Sequence, residues 1–344
     1  MSLSHVYKML TFPGQIPVFK PTSSPELDSL LAKFRDTLFI PTSLPLRHRK
    51  LIYKASKAED LRQHPIIVNI GGEIEELYQL WPMDIRDRPK KNDVLNAVSL
   101  MKTRQDWHNL PPLLVGMRSS KQIISLKQWE WIVRVAGLAG MQSIVLECAK
   151  QARRSGLVLG HPGVARKLFF TFHSSARSAG FKGPELATAL VQAQRAAWLM
   201  NGPEHIWTKS KIKDPKRLPD IIGILLELSA AHAIDAFEGK DKDGEVRHYA
   251  QKVLCTWPVG EFDVPPTGSV EANGKLLEFV PLWHGIKLAL QVEDVKVDKT
   301  LSSLLASRLK ELGQKIEETA TKVSEQTGSR TTYGVELCRQ LYHE

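Results

Sequence analysis

Along residues 125–202 the apolar positions recur every three or four residues, in four successive runs. Trp129, Ile132, Val133 and Ala136 fall on one helix face; Ile144, Val145, Cys148, Ala149 and Ala152 fall on one face of the next helix. The runs break at Ala139-Gly140, between Ser155-Gly156 and His161-Pro162-Gly163, and between Ala179-Gly180 and Gly183-Pro184. Glycine closes a helix in the left-handed conformation, and proline opens one because the first turn leaves its amide unbonded in any case. Two helices and a tight turn, repeated about 40 residues on, is the period of an α-solenoid unit. The pattern predicts a mostly α fold of α-helical hairpin repeats, α-solenoid-like, with one N-terminal β-hairpin.

That hairpin is read from a change of period. Ile66 to Ile70, then Gly71-Gly72, then a run ending in Leu77-Tyr78-Gln79-Leu80-Trp81 alternates as paired strands do. Two strands alone are marginal in water, so the hairpin must pack on a helix or a partner. Upstream, Ser24-Pro25-Glu26 caps a helix to about Thr37, with Leu27, Leu30, Leu31 and Phe34 on one face. A short basic helix follows Pro45, and helical spacing resumes over Asn92–Lys102 after the polar linker Arg86–Lys91. Two prolines and Trp107 mark Gln105–Leu114 as a packed turn before a short helix.

Downstream, Asp220–Phe237 is apolar on most of its circumference and belongs at the centre of the core. Further helices are expected over Glu245–Thr256, Val280–Glu293 and Lys299–Gln326, the last with Leu301, Leu304, Leu305, Leu309, Leu312 and Ile316 along one stripe, and a short one in the tail. Pro258–Gly274 is rich in proline and glycine and reads as loop. The expected organisation is an extended arm (1–24), a helix and hairpin region (25–88), a helical-repeat core (89–257), a loop (258–279) and a C-terminal helical region (280–344). For the arm two readings stay open, an extension lying on a partner or a disordered tail; its lack of arginine makes it a poor mitochondrial presequence.

Composition changes this picture little. The 344 residues are 42% apolar and 24% charged, ordinary for a chain with a sizeable core. No apolar run approaches the roughly 18–20 residues of a membrane span. Cys148, Cys255 and Cys338 lie far apart with no CxxC pair, which excludes a disulfide framework and speaks against a cysteine zinc site.

Charge changes it more. The net charge is +10, yet residues 118–217 hold 17 Lys and Arg against 5 Asp and Glu, so this region carries more than the whole surplus. A basic stripe on a repeat surface points to a polyanion, most often RNA, with a merely solvated face as the alternative. Candidate phosphate contacts are Arg47, Arg49 and Lys50 on the short basic helix, then Arg153, Arg154, Arg166 and Lys167, and the dense loop of Lys209, Lys211, Lys213, Lys216 and Arg217.

Catalytic chemistry finds no foothold. There is no GxSxG elbow, no HExxH and no GxGxxG after a strand. Gly268–Leu276 misses the phosphate-loop spacing, and Asp241–Glu245 places its glycine too early for a calcium loop. The histidines are dispersed; His161 and His232 read as structural. No enzyme, cofactor, metal or small-molecule substrate is expected. The eight tryptophans mostly have apolar neighbours, which favours core anchors over base-stacking platforms.

Two resemblances add to this reading. Trp131–Gly140, continuing through Glu147, Ala149, Arg153 and Gly156, resembles one unit of a pentatricopeptide-type repeat. The base-reading positions of that family have no counterpart here. Leu38-Phe39-Ile40-Pro41, Arg47–Tyr53, Asp106–Leu114 and Asp214–Pro219 together resemble a fungal helical protein of the mitochondrial ribosome, over roughly residues 30 to 240. That resemblance implies a structural component in the mitochondrial matrix, contacting rRNA and neighbouring ribosomal proteins and assigned to the large subunit. The alternative is a free mitochondrial RNA-binding factor for transcript maturation or translation.

Overall fold

In the computed structural model of the chain, residues 16–70, 76–90, 92–206, 214–257, 266, 268–327 and 331–342 are described. Two units emerge, residues 1–135 with 147–157, and residues 136–146 with 158–344. The polar linker at 86–91 lies inside the first unit.

In the first unit, Ser24 is extended and its hydroxyl accepts from the Leu27 amide, which starts α1 (Pro25–Phe34). The helical backbone continues through a wider π turn, Arg35–Phe39, into α2 (Ile40–Ser43), where Pro41 has no amide to give. Leu27, Leu31, Phe34, Leu38, Phe39 and Ile40 along this run are all buried. The basic helix α3 (Leu46–Tyr53) and α4 (Ala58–Gln63) follow.

Strands β1 (Ile67–Asn69) and β2 (Leu77–Gln79) pair antiparallel, with Val68 opposite Tyr78. The ladder extends one bond at each end, Ile70 N to Glu76 O and Leu80 N to Ile66 O. The Gly71-Gly72 turn lies outside the described residues. As two strands require, the hairpin leans on helices: Glu76 pairs with Arg35, and the Met83 amide donates to the Ile52 carbonyl. Burial, and secondarily the nearby Asp36 carboxylate, push the Tyr78 hydroxyl up to about 12.

Helices α5 (Asp93–Leu100), α6 (Arg104–Trp107) and α7 (Leu110–Ser119) complete the body of this unit, with Trp107 fully buried. They also hold residues 16–24, the described part of the arm. Asp106 accepts from the Ser23 amide and hydroxyl, both at 2.8 Å, while Asn109 exchanges two bonds with the Lys20 backbone. This segment therefore docks on its own unit. Helices α8 (Leu126–Leu138) and α9 (Gln142–Lys150) belong partly to each unit, and α10 (Ala152–Ser155) packs on α7. Gly156 closes α10 at φ +82°, the left-handed stop expected there.

The second unit contains α11 (Pro162–Ser178), α12 (Gly183–Leu199), α13 (Pro219–Ala236), α14 (Glu245–Thr256), α15 (Ser269–Ala289), α16 (Glu293–Val297), α17 (Lys299–Thr327) and α18 (Tyr333–Leu341). Every residue from Pro219 to Ala231 is buried, because α13 packs against α11, α12, α14 and α15 at once. Its crossing with α15 is closed by glycines: a Cβ on Gly285 would stand 2.7 Å from the Gly223 carbonyl oxygen.

The loop expected to reach Gly274 ends sooner, since α15 starts at Ser269. Ala272, Leu276, Phe279, Val280, Trp283 and Ile286 are buried along one continuous helical spacing, which overrides Gly274 and Pro281. Helix α17 docks on α14, α15, α16 and α18, burying Leu301, Leu305, Leu312 and Ile316 and leaving Leu304 exposed. Among the described residues no helix is long and apolar enough to cross a membrane.

Candidate nucleic-acid interface

The basic residues singled out from the sequence divide by what the fold does with their charge. In the first unit, Pro45 starts α3, and the helix buries Ile52 on one side. Arg47 and Lys50 are exposed on the other, with Arg49 half-buried between them. Burial, reinforced by the Arg47 charge, holds the His48 imidazole below its ordinary range, so it adds no cation at neutral pH. On α10, Ala152 and Ser155 face inward and Arg153 and Arg154 face solvent. The Ser155 hydroxyl donates to the Cys148 carbonyl at 2.6 Å and fixes that turn.

In the second unit, Arg166 is committed internally. Its Nε and Nη2 reach the two oxygens of Asp220, at 2.7 and 3.3 Å, and Nη1 lies 3.4 Å from Glu278. Asp220 is buried at the head of α13, and burial together with Asp220's charge raises the Glu278 carboxyl. The guanidinium thus neutralises two enclosed carboxylates and ties α11 to α13 and α15. Lys167 beside it is half-buried. Lys216 and Arg217 sit in a 3-10 turn whose Pro215 is buried and whose first amide, that of Lys216, donates to the Asp214 carboxylate at 3.0 Å. Arg217 is exposed, and Lys216 is half-buried beside a cleft between α12, α13 and α14. Lys209, Lys211 and Lys213 lie outside the described residues.

One charged site was not singled out in the sequence. Glu227 on α13 is wholly enclosed, and its two oxygens lie 2.6 Å from His173 Nδ1 and 2.7 Å from His284 Nδ1. Burial pushes this carboxyl up, but the two imidazoles more than offset it and hold it below the usual glutamate range. Phe181 lies against both rings, at centroid distances of 5.8 and 4.7 Å. With His173 fully buried and His284 nearly so, the cluster offers no surface to a substrate and serves to lock α11, α13 and α15. The sequence signal was an isolated glutamate in the most apolar helix. Its partners, 54 and 57 residues away, left none. Among the described residues no group of three or more His, Cys, Asp or Glu is arranged to hold a metal ion. His161 caps α11, accepting from the Gly163 amide at 3.2 Å, as its structural reading expected.

The tryptophans divide as well. Trp107, Trp129, Trp257 and Trp283 are buried anchors, whereas Trp198 on α12 is 70% exposed. The core-anchor expectation fails at Trp198 because the buried stripe of α12 runs through Leu186, Ala189, Leu190, Ala193, Ala196 and Leu199, and residue 198 falls off it.

Residues 7–342 match the family model described as "Mitochondrial ribosomal protein mS27". The chain is also similar to the small ribosomal subunit protein mS27 of Neurospora crassa, with 26% identity over 273 residues, covering 74% of this chain and 68% of the relative. The expectation of a large-subunit protein is corrected by this likeness, because the relative is by name a small-subunit protein. The stretches behind that expectation, such as Asp106–Leu114, shape turns and caps and carry no physical mark of either subunit.

Proposed function

Because the chain belongs to the mitochondrial ribosomal protein mS27 family, we propose that it is a structural component of the small subunit of the mitochondrial ribosome in the matrix, binding rRNA and neighbouring ribosomal proteins. The observation that carries this reading is the reach of the family match, residues 7–342 of 344. The role is architectural. Exposed cations on α3 (Arg47, Lys50), on α10 (Arg153, Arg154) and at Arg217 neutralise phosphates, with Arg49, Lys167 and Lys216 lending partial exposure. Lys209, Lys211 and Lys213 extend the same basic run in sequence. Arg166 supports the interface from behind by fixing α11. Exposed apolar side chains such as Ile123, Ile206 and Val270 supply contact area for protein neighbours.

The test is sedimentation of tagged protein from a gradient-fractionated organellar lysate, with and without magnesium chelation. Co-migration with the small subunit, persisting after the subunits separate, is the expected result. Migration near the top of the gradient in a small RNase-sensitive complex would replace this reading with a free RNA-binding factor.

A further inference from the structure

We propose, resting on the rRNA-binding reading above, that the cleft between α12, α13 and α14 seats one unstacked RNA nucleotide, with Trp198 as the stacking face and Lys216 and Lys252 as the phosphate clamp. All three side chains line one cleft of about 440 Å³, within the roughly 300–1,000 Å³ of small-ligand sites. Ile221 and Leu225 of the buried helix α13 form its floor, so the floor is set by the most rigidly packed element of the unit. His248 and Asn201 stand at the rim with polar atoms for a base edge or a ribose hydroxyl.

Three observations choose this occupant. First, the Trp198 indole is 70% exposed although its helix buries a full apolar stripe elsewhere, and Arg195, one turn earlier, is exposed with it. An exposed flat ring in a basic surface is the arrangement that stacks a base without regard to sequence. Second, the fold brings two ammonium groups to the same cleft. Burial, and after it the positive charge of Lys216, hold Lys252 below the ordinary lysine range. An anion placed between them relieves that repulsion. Third, the carboxylates nearby offset the two lysines only in part. Glu245 accepts from Gln194 at 3.0 Å and from the Tyr249 hydroxyl, and Asp214, which caps the 3-10 turn, faces Lys216 at 3.8 Å and acts on Lys252 less than burial and Lys216 do. An acidic peptide would satisfy the lysines but has no flat ring for Trp198 in its acidic side chains. The surplus of 17 basic over 5 acidic residues across 118–217 extends the field a polynucleotide needs on either side.

The test uses the purified full-length chain and a transcript of the small-subunit rRNA. Ultraviolet cross-linking followed by peptide mapping is expected to place RNA adducts on Trp198 or on the α14 face at 248–252. Trp198→Ala is expected to weaken binding about tenfold and Trp198→Phe to restore most of it, the size of one stacked base. The double variant Lys216→Gln/Lys252→Gln, which leaves that one phosphate without its clamp, is expected to make the slope of log affinity on log salt shallower by about 0.7. Thermal melting of each variant confirms that the fold is intact, which the exposure of Trp198 leads one to expect. Wild-type rRNA affinity in Trp198→Ala, with adducts only elsewhere, would overturn the cleft and leave rRNA binding by the chain standing. No rRNA binding by any version, while the protein still sediments with the small subunit, would remove the reading on which the proposal rests. Hydroxyl-radical protection of Trp198 that survives RNase digestion of the assembled subunit would assign the cleft to a protein neighbour and overturn the proposal.

Discussion

Glu227 shows at the scale of one side chain how much of the second unit hangs on charge. Its carboxylate is fully enclosed, which alone would drive it neutral, yet two imidazole rings at 2.6 and 2.7 Å keep it ionised. A glutamate whose folded pKa lies below its ordinary 4.5 stabilises the fold fully above that value, and the contribution disappears as pH falls through the folded pKa. Thermal melting should therefore hold level above about pH 5 and drop on the acid side, by a step that Glu227→Gln removes. At neutral pH the same substitution is expected to cost about 1–3 kcal/mol, since an amide cannot replace both carboxylate oxygens that meet the two ring nitrogens in this enclosed cluster. A variant melting like the parent would show the cluster to be dispensable. The cysteines give a second check at this scale. Burial, with Glu147 beside it, pushes the Cys148 thiol up to about 12, and Cys338 is raised and buried too, whereas Cys255 is exposed. Maleimide labelling of the native protein at pH 7.5 should modify Cys255 and spare the other two until denaturant is added.

Between elements, the tightest joint is the crossing of α13 and α15. A methyl group at position 285 would meet the Gly223 carbonyl oxygen at 2.7 Å and the Glu227 amide at 3.0 Å, and backbone cannot swing aside as a side chain does. Gly285→Ala is expected to destabilise by about 1–3 kcal/mol or more, read as a lower midpoint in urea with the slope unchanged. A looser joint holds the arm. Asn96→Ala, whose side chain bonds Asp93 within α5, should leave amide exchange at Ser23 slow, while Asp106→Asn should speed it, because Ser23 bonds that carboxylate through both amide and hydroxyl. Much at this scale was legible in the sequence. Helix α13 announced itself by being apolar all round, and α17 by its leucine stripe. The start of α15 was hidden because Gly274 and Pro281 are breakers on intrinsic propensity, and only the packing of Leu276, Phe279 and Ile286 outweighs them. Trp198 was misplaced for a different reason. Apolar neighbours in the chain do not say which way a helical residue faces, although the spacing of Ala189, Ala193 and Ala196 does. Arg166 could not be read correctly at all, since the carboxylates that claim it lie 54 residues or more away.

At the scale of the whole molecule the charge is divided, and the division makes a prediction that fold alone does not. The surplus lies in residues 118–217, while the other 244 residues are slightly acidic in sum. Exposed cations also differ in what stands next to them. In the first unit Lys50 on α3 and Arg154 on α10 face solvent, whereas Lys57 lies 3.2 Å from Asp60 and Arg62 lies 3.3 Å from Glu59. If affinity for rRNA came from net charge at long range, removing any three exposed cations would weaken binding alike. If it comes from phosphates neutralised at close range, only the right three matter, because each phosphate left without its cation keeps its counterion and the salt dependence falls accordingly. Lys50→Gln/Arg154→Gln/Arg217→Gln is expected to make the slope of log affinity on log salt shallower by about 2, at roughly 0.7 per single-stranded phosphate. The control variant Lys57→Gln/Arg62→Gln/Arg86→Gln, whose third cation lies 3.1 Å from Asp84, changes net charge equally and is expected to leave the slope within error of the parent. Filter binding to the small-subunit rRNA transcript from about 50 to 300 mM potassium chloride, a range over which such slopes are resolved, separates the two cases. Parental slopes in both variants would locate the phosphate-binding surface elsewhere, while an equal fall in affinity in both would make the basic region a solvated face acting only through its field.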